Sequence, residues 1–180
     1  MKFFCFVKNK IAKYIFNDGI YADWMIYYLS EREIIDLNKY SLQATDELKE
    51  FCIVQPDDIR FVIRFVEKEF ENDLFQTALG YCISIIVLHP FKNGNHRTSL
   101  LSAEIFLLKN NYILLSSNKE KIEFEKCRMK YEKENDLEKE FFRIAIIEDF
   151  VKRKEEIKKI MNSPYGKNTL KWLKNNYKII

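Results

Sequence analysis

From Asp73 to His89 the chain carries Phe75, Ala78, Leu79, Cys82, Ile85, Ile86 and Leu88, which at helical spacing cover most of a helix's circumference. A helix apolar nearly all round leaves no face for water, so it belongs at the centre of a bundle. Asp73 supplies a cap at its start. Pro90 denies the residue before it the helical conformation, which predicts an end at His89. A second, mostly apolar helix is predicted over about 97–109, with Leu100, Leu101, Ala103, Ile105, Phe106, Leu107 and Leu108. The stretch between them, His89-Pro90-Phe91-Lys92-Asn93-Gly94-Asn95-His96-Arg97, reads as a short loop joining two buried helices. It holds both histidines of the protein.

Composition agrees with a helical domain. A chain of 180 residues, 47% apolar, can bury one sizeable core. Four glycines and three prolines disfavour a turn-rich sandwich or barrel. A net charge of +3 from 30 basic and 27 acidic residues gives no strong pull toward nucleic acid. Cys5, Cys52, Cys82 and Cys127 are far apart, which argues for buried free thiols in a reducing compartment and against a disulfide framework or a zinc site. The apolar N-terminal stretch is too short for a signal-peptide core, and no run approaches the roughly 20 apolar residues of a membrane span. A cytoplasmic protein with no membrane partner is expected.

Elsewhere the pattern is readable in outline. Residues 21–40 look helical, with Ser30 and Glu33 forming a capping box before Ile34, Ile35, Leu37 and Tyr40. Residues 42–50 read as a further helical turn. Phe51-Cys52-Ile53-Val54-Gln55-Pro56 is a short β-prone run and the one strand expected. Asp57 or Asp58 caps the next helix, in which Ile59, Val62, Ile63 and Val66 recur at helical spacing. Residues 119–134 and 137–161 read as two amphipathic helices with solvated charged faces, and Lys152-Arg153-Lys154-Glu155-Glu156 as an exposed face. Asn162-Ser163-Pro164-Tyr165-Gly166 breaks the second, and a basic, aromatic tail follows, expected to dock on the bundle.

The loop has the residues for phosphate chemistry. A neutral imidazole at His89 can accept a proton from a hydroxyl as that oxygen attacks phosphorus. Phe91 anchors the loop in the core. Gly94 permits a turn that a side chain would block. Successive N–H groups at such a turn, leading into a helix N-terminus, form an anion nest. Asn95 can hold the loop or bond a phosphate oxygen, Arg97 supplies a fixed charge for phosphate, and Asn93 offers an oxygen to a hard cation such as Mg²⁺. The plain readings stand beside these: His89 as a helix-end histidine bonded to a carbonyl, His96 as an exposed loop residue, Asn93 as a turn cap, Arg97 as a salt-bridge partner of the charged C-terminal helices.

His89-Pro90-Phe91, Gly94-Asn95 and Arg97 together resemble the Fic/Doc signature HPFx(D/E)GN(G/K)R. Six fixed positions match within nine. The resemblance is to the Doc-like, death-on-curing branch and spans roughly residues 28–152. Leu29 to Ile35 looks like that branch's opening helix. Arg97-Thr98-Ser99 continues as its KRTA segment does, and Ala103 to Leu108 followed by Asn110 and Asn111 resembles its FLxxNG segment. The resemblance implies an all-α, Fic/Doc-type helical bundle with a short β-hairpin flap, here placed at Ile53, Val54 and Gln55, which docks the target's extended segment. It divides the chain into a helical domain, 1–162, and a basic C-terminal extension, 163–180.

The implied activity is transfer of phosphate or AMP from a nucleoside triphosphate, ATP or another, to a hydroxyl side chain of a target protein, with Mg²⁺. By the match His89 is the general base, Arg97 the phosphate clamp, and Gly94 with Asn95 the anion loop; Asn93 and His96 complete the phosphate-binding set, and Asn93 is the metal ligand. Three positions depart from the pattern. Asn93 stands where the family has Asp or Glu, and an amide binds magnesium more weakly. His96 stands where AMP-transferring members have Gly and Doc-like ones often Lys, which tilts the reading toward phosphate transfer. Leu100 replaces the second Arg of the longer signature, as in Doc-like members. The family's inhibitory helix, (S/T)xxxE(G/N), has only Ser116-Ser117-Asn118-Lys119-Glu120-Lys121 as its nearest counterpart, so a separate antitoxin carrying that helix is expected for a toxin of this type. The alternatives are a catalytically degenerate module that binds nucleotide or a partner, and nucleic-acid binding through the tail from Lys167 to Lys178 with Trp172 and Tyr177, the latter disfavoured.

Overall fold

A computed structural model describes residues 26–71 and 73–179. Eight α-helices lie among them: α1 Glu31–Gln43, α2 Pro56–Glu69, α3 Leu74–Leu88, α4 Asn95–Lys109, α5 Asn118–Glu134, α6 Leu137–Ala145, α7 Phe150–Asn162 and α8 Pro164–Asn176. A 3-10 turn, Leu48–Glu50, follows α1. Two short strands, β1 Tyr112–Leu114 and β2 Tyr177–Ile179, pair antiparallel with Ile113 opposite Lys178. The chain is an all-α bundle with this small sheet.

The pair α3 and α4 forms its centre. Every residue of α3 from Thr77 to Leu88 is buried, as is every residue of α4 from Thr98 to Leu107. α3 also touches α2, α6, α7 and α8, and α1 lies on α4. The Asp73 carboxylate caps α3 by accepting from the Phe75 and Gln76 amides, satisfying donors that a helix start leaves unpaired.

The start of the bundle differs from the sequence expectation. Of the helix expected over 21–40, residues 21–25 lie outside the described residues, and 26–30 are not helical. The helix starts at Glu31, because the Ser30–Glu33 capping box closes there. The residues before it are tied to the central pair instead: Leu29 N donates to the Tyr81 hydroxyl at 2.9 Å, and the Asn110 side chain brackets the Tyr27 backbone. At α2 neither Asp57 nor Asp58 is the cap. Pro56 opens the helix, where its missing N–H costs nothing, and Asp58 is buried against Arg153 of α7 at 2.7 Å.

The charged C-terminal half also differs. The helix expected over 137–161 is two, α6 and α7, with the Asp149 side chain capping the second through Lys152 N. The charge run at its centre is not wholly solvated, since Arg153 reaches Asp58 and Lys154 reaches Glu69 at 2.7 Å, clamping α7 to α2. In α5 the usual pattern is inverted: Lys121, Arg128 and Glu132 are buried while Ile122 and Met129 are exposed. At the next break Ser163 ends α7 and caps α8, with Pro164 in the first turn. Tyr165, Leu173 and Tyr177 of the C-terminal segment are buried in the core.

Candidate active site

The junction of α3 and α4 is built by a few exact pairings. His89 ends α3 in the left-handed conformation, φ 48° and ψ 54°, a region a non-glycine residue enters only when its surroundings hold it there. The surroundings are the loop's own contacts. Phe91 is buried, and the Asn95 side chain grips its backbone at both ends, accepting from Phe91 N at 3.1 Å and donating to Phe91 O at 2.7 Å. The Pro90 carbonyl accepts from Val54 N and Gln55 N, and Lys92 N donates to the Cys52 carbonyl.

The expected flap, Ile53 to Gln55, takes a reduced form. It is an extended segment joined to the motif loop by an isolated antiparallel bridge between Ile53 and Phe91, not a hairpin paired with itself. Val54 and Gln55 are exposed beside it. The β-prone run was legible, but its partner is the loop.

Gly94 precedes α4 with φ 80°. A Cβ there would lie 3.0 Å from Asn38 Nδ2 and 3.0 Å from Ser41 Oγ, so both conformation and space call for glycine. Asn38 explains the closeness, because its amide nitrogen donates to the Asn93 carbonyl at 2.9 Å and to the Thr98 hydroxyl at 3.0 Å, tying α1 to the loop. The Asn93 side chain is engaged at both ends: Oδ1 accepts from Gly94 N at 2.6 Å and Nδ2 donates to Glu50 at 2.8 Å. The amides of Asn95, His96 and Arg97 follow in the first turn of α4, where no carbonyl of the helix can reach them.

Arg97 turns toward the segment after α1. NH1 donates to the Thr45 hydroxyl and NH2 to the Glu47 carboxylate, both at 2.6 Å. Thr45 also donates to Glu47 at 2.7 Å. The hydrogen bonds from Thr45 and then Arg97 hold the Glu47 carboxyl below the usual carboxylate range. The arginine therefore has a salt-bridge partner, on the α1 side and not on the C-terminal helices.

The histidines face a cavity of about 370 Å³ lined by Val87, His89, His96, Glu132, Glu138, Phe141, Phe142 and Ala145. Their rings meet nearly edge to face with centroids 6.0 Å apart. Surrounding atoms desolvate His89 and lower its pKa, against a backbone hydrogen bond with Ile86 and the charge of Glu138, which raise it. His96 is pushed down to about 4, by desolvation first, then by Arg128 and His89. Both shifts favour the neutral ring. The other residues of the expected phosphate-binding set, Asn93, Gly94, Asn95 and Arg97, do not line this cavity.

Sequence reading missed what stands behind His96. Glu132, 3% exposed, places Oε2 3.5 Å from His96 Nε2. Its other oxygen accepts from the Tyr165 hydroxyl. Arg128, also buried, donates to the Tyr165 oxygen at 3.1 Å through NH2 and to Cys82 Sγ at 3.2 Å through NH1. Burial raises the Glu132 carboxyl, with Tyr165 and Arg128 opposing it. The only signal in the sequence was the placement of Arg128 and Glu132 four apart on one helix face, and a charged face normally points to water.

A family model described as the Fic/DOC family matches residues 23–107. The match runs from before α1 through the motif loop and into the last turn of α4, and it supports a Fic assignment for that region. No curated protein and no solved structure was found to match the chain. No helix among the described residues is long and apolar enough to cross a membrane.

Proposed function

We propose that this protein transfers phosphate or AMP from a nucleoside triphosphate to a hydroxyl side chain of a target protein, with His89 as general base. One observation carries the reading: a histidine that opens onto a cavity lies one short loop away from the free amides of a helix N-terminus. The hydroxyl oxygen forms a bond to phosphorus while its proton passes to His89. The bond from phosphorus to the leaving oxygen breaks, and its electron pair departs with pyrophosphate in AMP transfer or with a nucleoside diphosphate in phosphate transfer. The amides of Asn95, His96 and Arg97 stabilise the charge on the phosphate oxygens. Gly94 and the Asn95 side chain keep the loop in shape for this.

Arg97 clamps phosphate in this reading by exchanging partners. Phosphate oxygens replace the Glu47 carboxylate and the Thr45 hydroxyl on the guanidinium. ATP is the simplest co-substrate. Magnesium is a separate matter, since the one oxygen Asn93 offers already accepts from Gly94 N. Among the described residues no group of three His, Cys, Asp or Glu side chains is spaced to hold a metal. An amide oxygen already bonded to a neighbouring N–H is a weaker magnesium ligand than the carboxylate it stands in for.

A toxin restrained by a separate antitoxin is the setting we favour. The one candidate for a built-in inhibitory glutamate, Glu120, is engaged as a helix cap, accepting from both Ser117 N and Ser117 Oγ at 2.7 Å. The second reading, a degenerate module that binds nucleotide or a partner without transfer, draws on the Arg97–Glu47–Thr45 arrangement and on Asn93. Incubation with nucleotide labelled at the α- or the γ-phosphate and a cell lysate tests both. Protein label from α alone means nucleotidyl transfer, label from γ alone means kinase action, and none from either favours the degenerate module.

A further inference from the structure

The cavity beside His89 is lined by two kinds of residue. Val87, Phe141, Phe142 and Ala145 form an apolar wall, while His89, His96, Glu132 and Glu138 supply polar groups. No lysine or arginine lines it. Two carboxyl groups in a lining that holds no cation make it a poor place for a phosphate, which seeks fixed positive charge and N–H donors. Two neutral imidazoles and a carboxylate make it a good place for a hydroxyl donor on an apolar body. At about 370 Å³, a serine or threonine side chain would leave most of it unfilled.

We propose that this cavity receives the phenol ring of a target tyrosine, with the ring on Phe141 and Phe142 and the hydroxyl between His89 and His96. The assignment rests on the transfer reading above and names its acceptor. Tyrosine is the side chain that joins a large apolar face to a single hydroxyl donor. Glu132 is a positioning residue for this arrangement. From its buried place on α5 it draws the imidazole proton of His96 to Nε2, which leaves the other ring nitrogen as an acceptor. Tyr165 and Arg128 hold the carboxylate in turn. The phenol then gives its one O–H to His89 as acceptor, with the acceptor nitrogen of His96 beside it. His89 takes its proton as the oxygen bonds to phosphorus, and the leaving oxygen carries away the electron pair of the broken P–O bond.

The test separates binding from transfer. Saturation-transfer NMR with the full chain is run with p-cresol, toluene and phenyl phosphate, and label transfer is measured on peptides that differ only in Tyr or Thr. The expected results are p-cresol binding that moves the two histidine ring signals, toluene and phenyl phosphate at least about tenfold weaker, and kcat/KM at least about tenfold higher for the Tyr peptide. Ala145→Trp, which fills the cavity, removes p-cresol binding. Glu132→Gln raises KM for the Tyr peptide more than it lowers kcat. No p-cresol binding, equal binding of phenyl phosphate, equal use of Thr, or p-cresol binding unchanged in Ala145→Trp each overturns the proposal. Cresol binding without transfer to any peptide overturns the transfer reading and leaves the pocket's preference for a phenol in place.

Discussion

His89 and His96 present their rings nearly edge to face across 6.0 Å on one cavity wall. One residue ends the central helix α3 and the other lies in the first turn of α4, so the loop between them sets their spacing. The loop contacts hold His89 in its left-handed conformation, and the Glu132 carboxylate stands behind His96. The protonation of this pair governs what the site can do.

Both rings are expected to titrate below the ordinary histidine value of 6.5, His96 near 4. A lowered pKa means that the neutral form persists as pH falls, so the transfer rate is flat around neutrality and drops only as pH falls through the His89 value. The chain has two histidines, so NMR titration of the ring protons, assigned with one His→Ala variant, reads both directly. A ring that titrates above 6.5 contradicts the account.

Gly94→Ala is expected to destabilise the protein by about 1–3 kcal/mol, from strain at positive φ and from crowding. The neighbours that must yield are Asn38 and Ser41 of α1, each 3.0 Å from the added carbon. Thermal unfolding measures it. An unchanged midpoint would mean that the loop and α1 are not tightly coupled.

Among the described residues Arg128 is the Lys or Arg side chain bonded to the buried Tyr165–Glu132 pair, so Arg128→Met takes the facing positive charge from that carboxylate. A loss of about 3–5 kcal/mol is expected, by the usual cost of breaking a buried charged pair. Adding Glu132→Gln should recover part of that loss, because the uncompensated charge goes with it. Urea unfolding of the wild type, the two single variants and the double variant gives the coupling. Strict additivity would mean that the two residues do not share a network.

Glu47→Gln should raise affinity for nucleoside triphosphate several-fold, since Arg97 no longer has to leave a carboxylate to meet phosphate. Calorimetry of the variant beside the wild type measures it. Weaker or unchanged binding would show that Arg97 does not meet the phosphates.

The central pair was legible because its signal is the strongest a sequence carries: apolar residues on every side of Leu74–Leu88, a cap at Asp73 and a proline after His89. The motif loop and its glycine followed from local chemistry. What was not legible depended on contacts between distant segments. Arg128 and Glu132 face inward because Tyr165, 37 and 33 residues further on, meets them there. Arg153 and Lys154 lie in a charge run yet find partners on α2, across 95 and 85 residues. The flap segment resembled a hairpin strand, but its hydrogen-bonding partner is the loop at Phe91. A charge gives no sign in the sequence of which way it points until its partner is known.

His89→Ala, compared with the wild type for both label transfer and nucleotide affinity, addresses the base directly. The expected result is a fall in transfer of about 10²–10⁴, the range for losing a general base, with the nucleotide dissociation constant within about threefold, because the proposal assigns phosphate binding to the amides and Arg97 and not to His89. Transfer that survives the substitution, or that falls only as far as nucleotide binding falls, would contradict a proton-accepting role for His89.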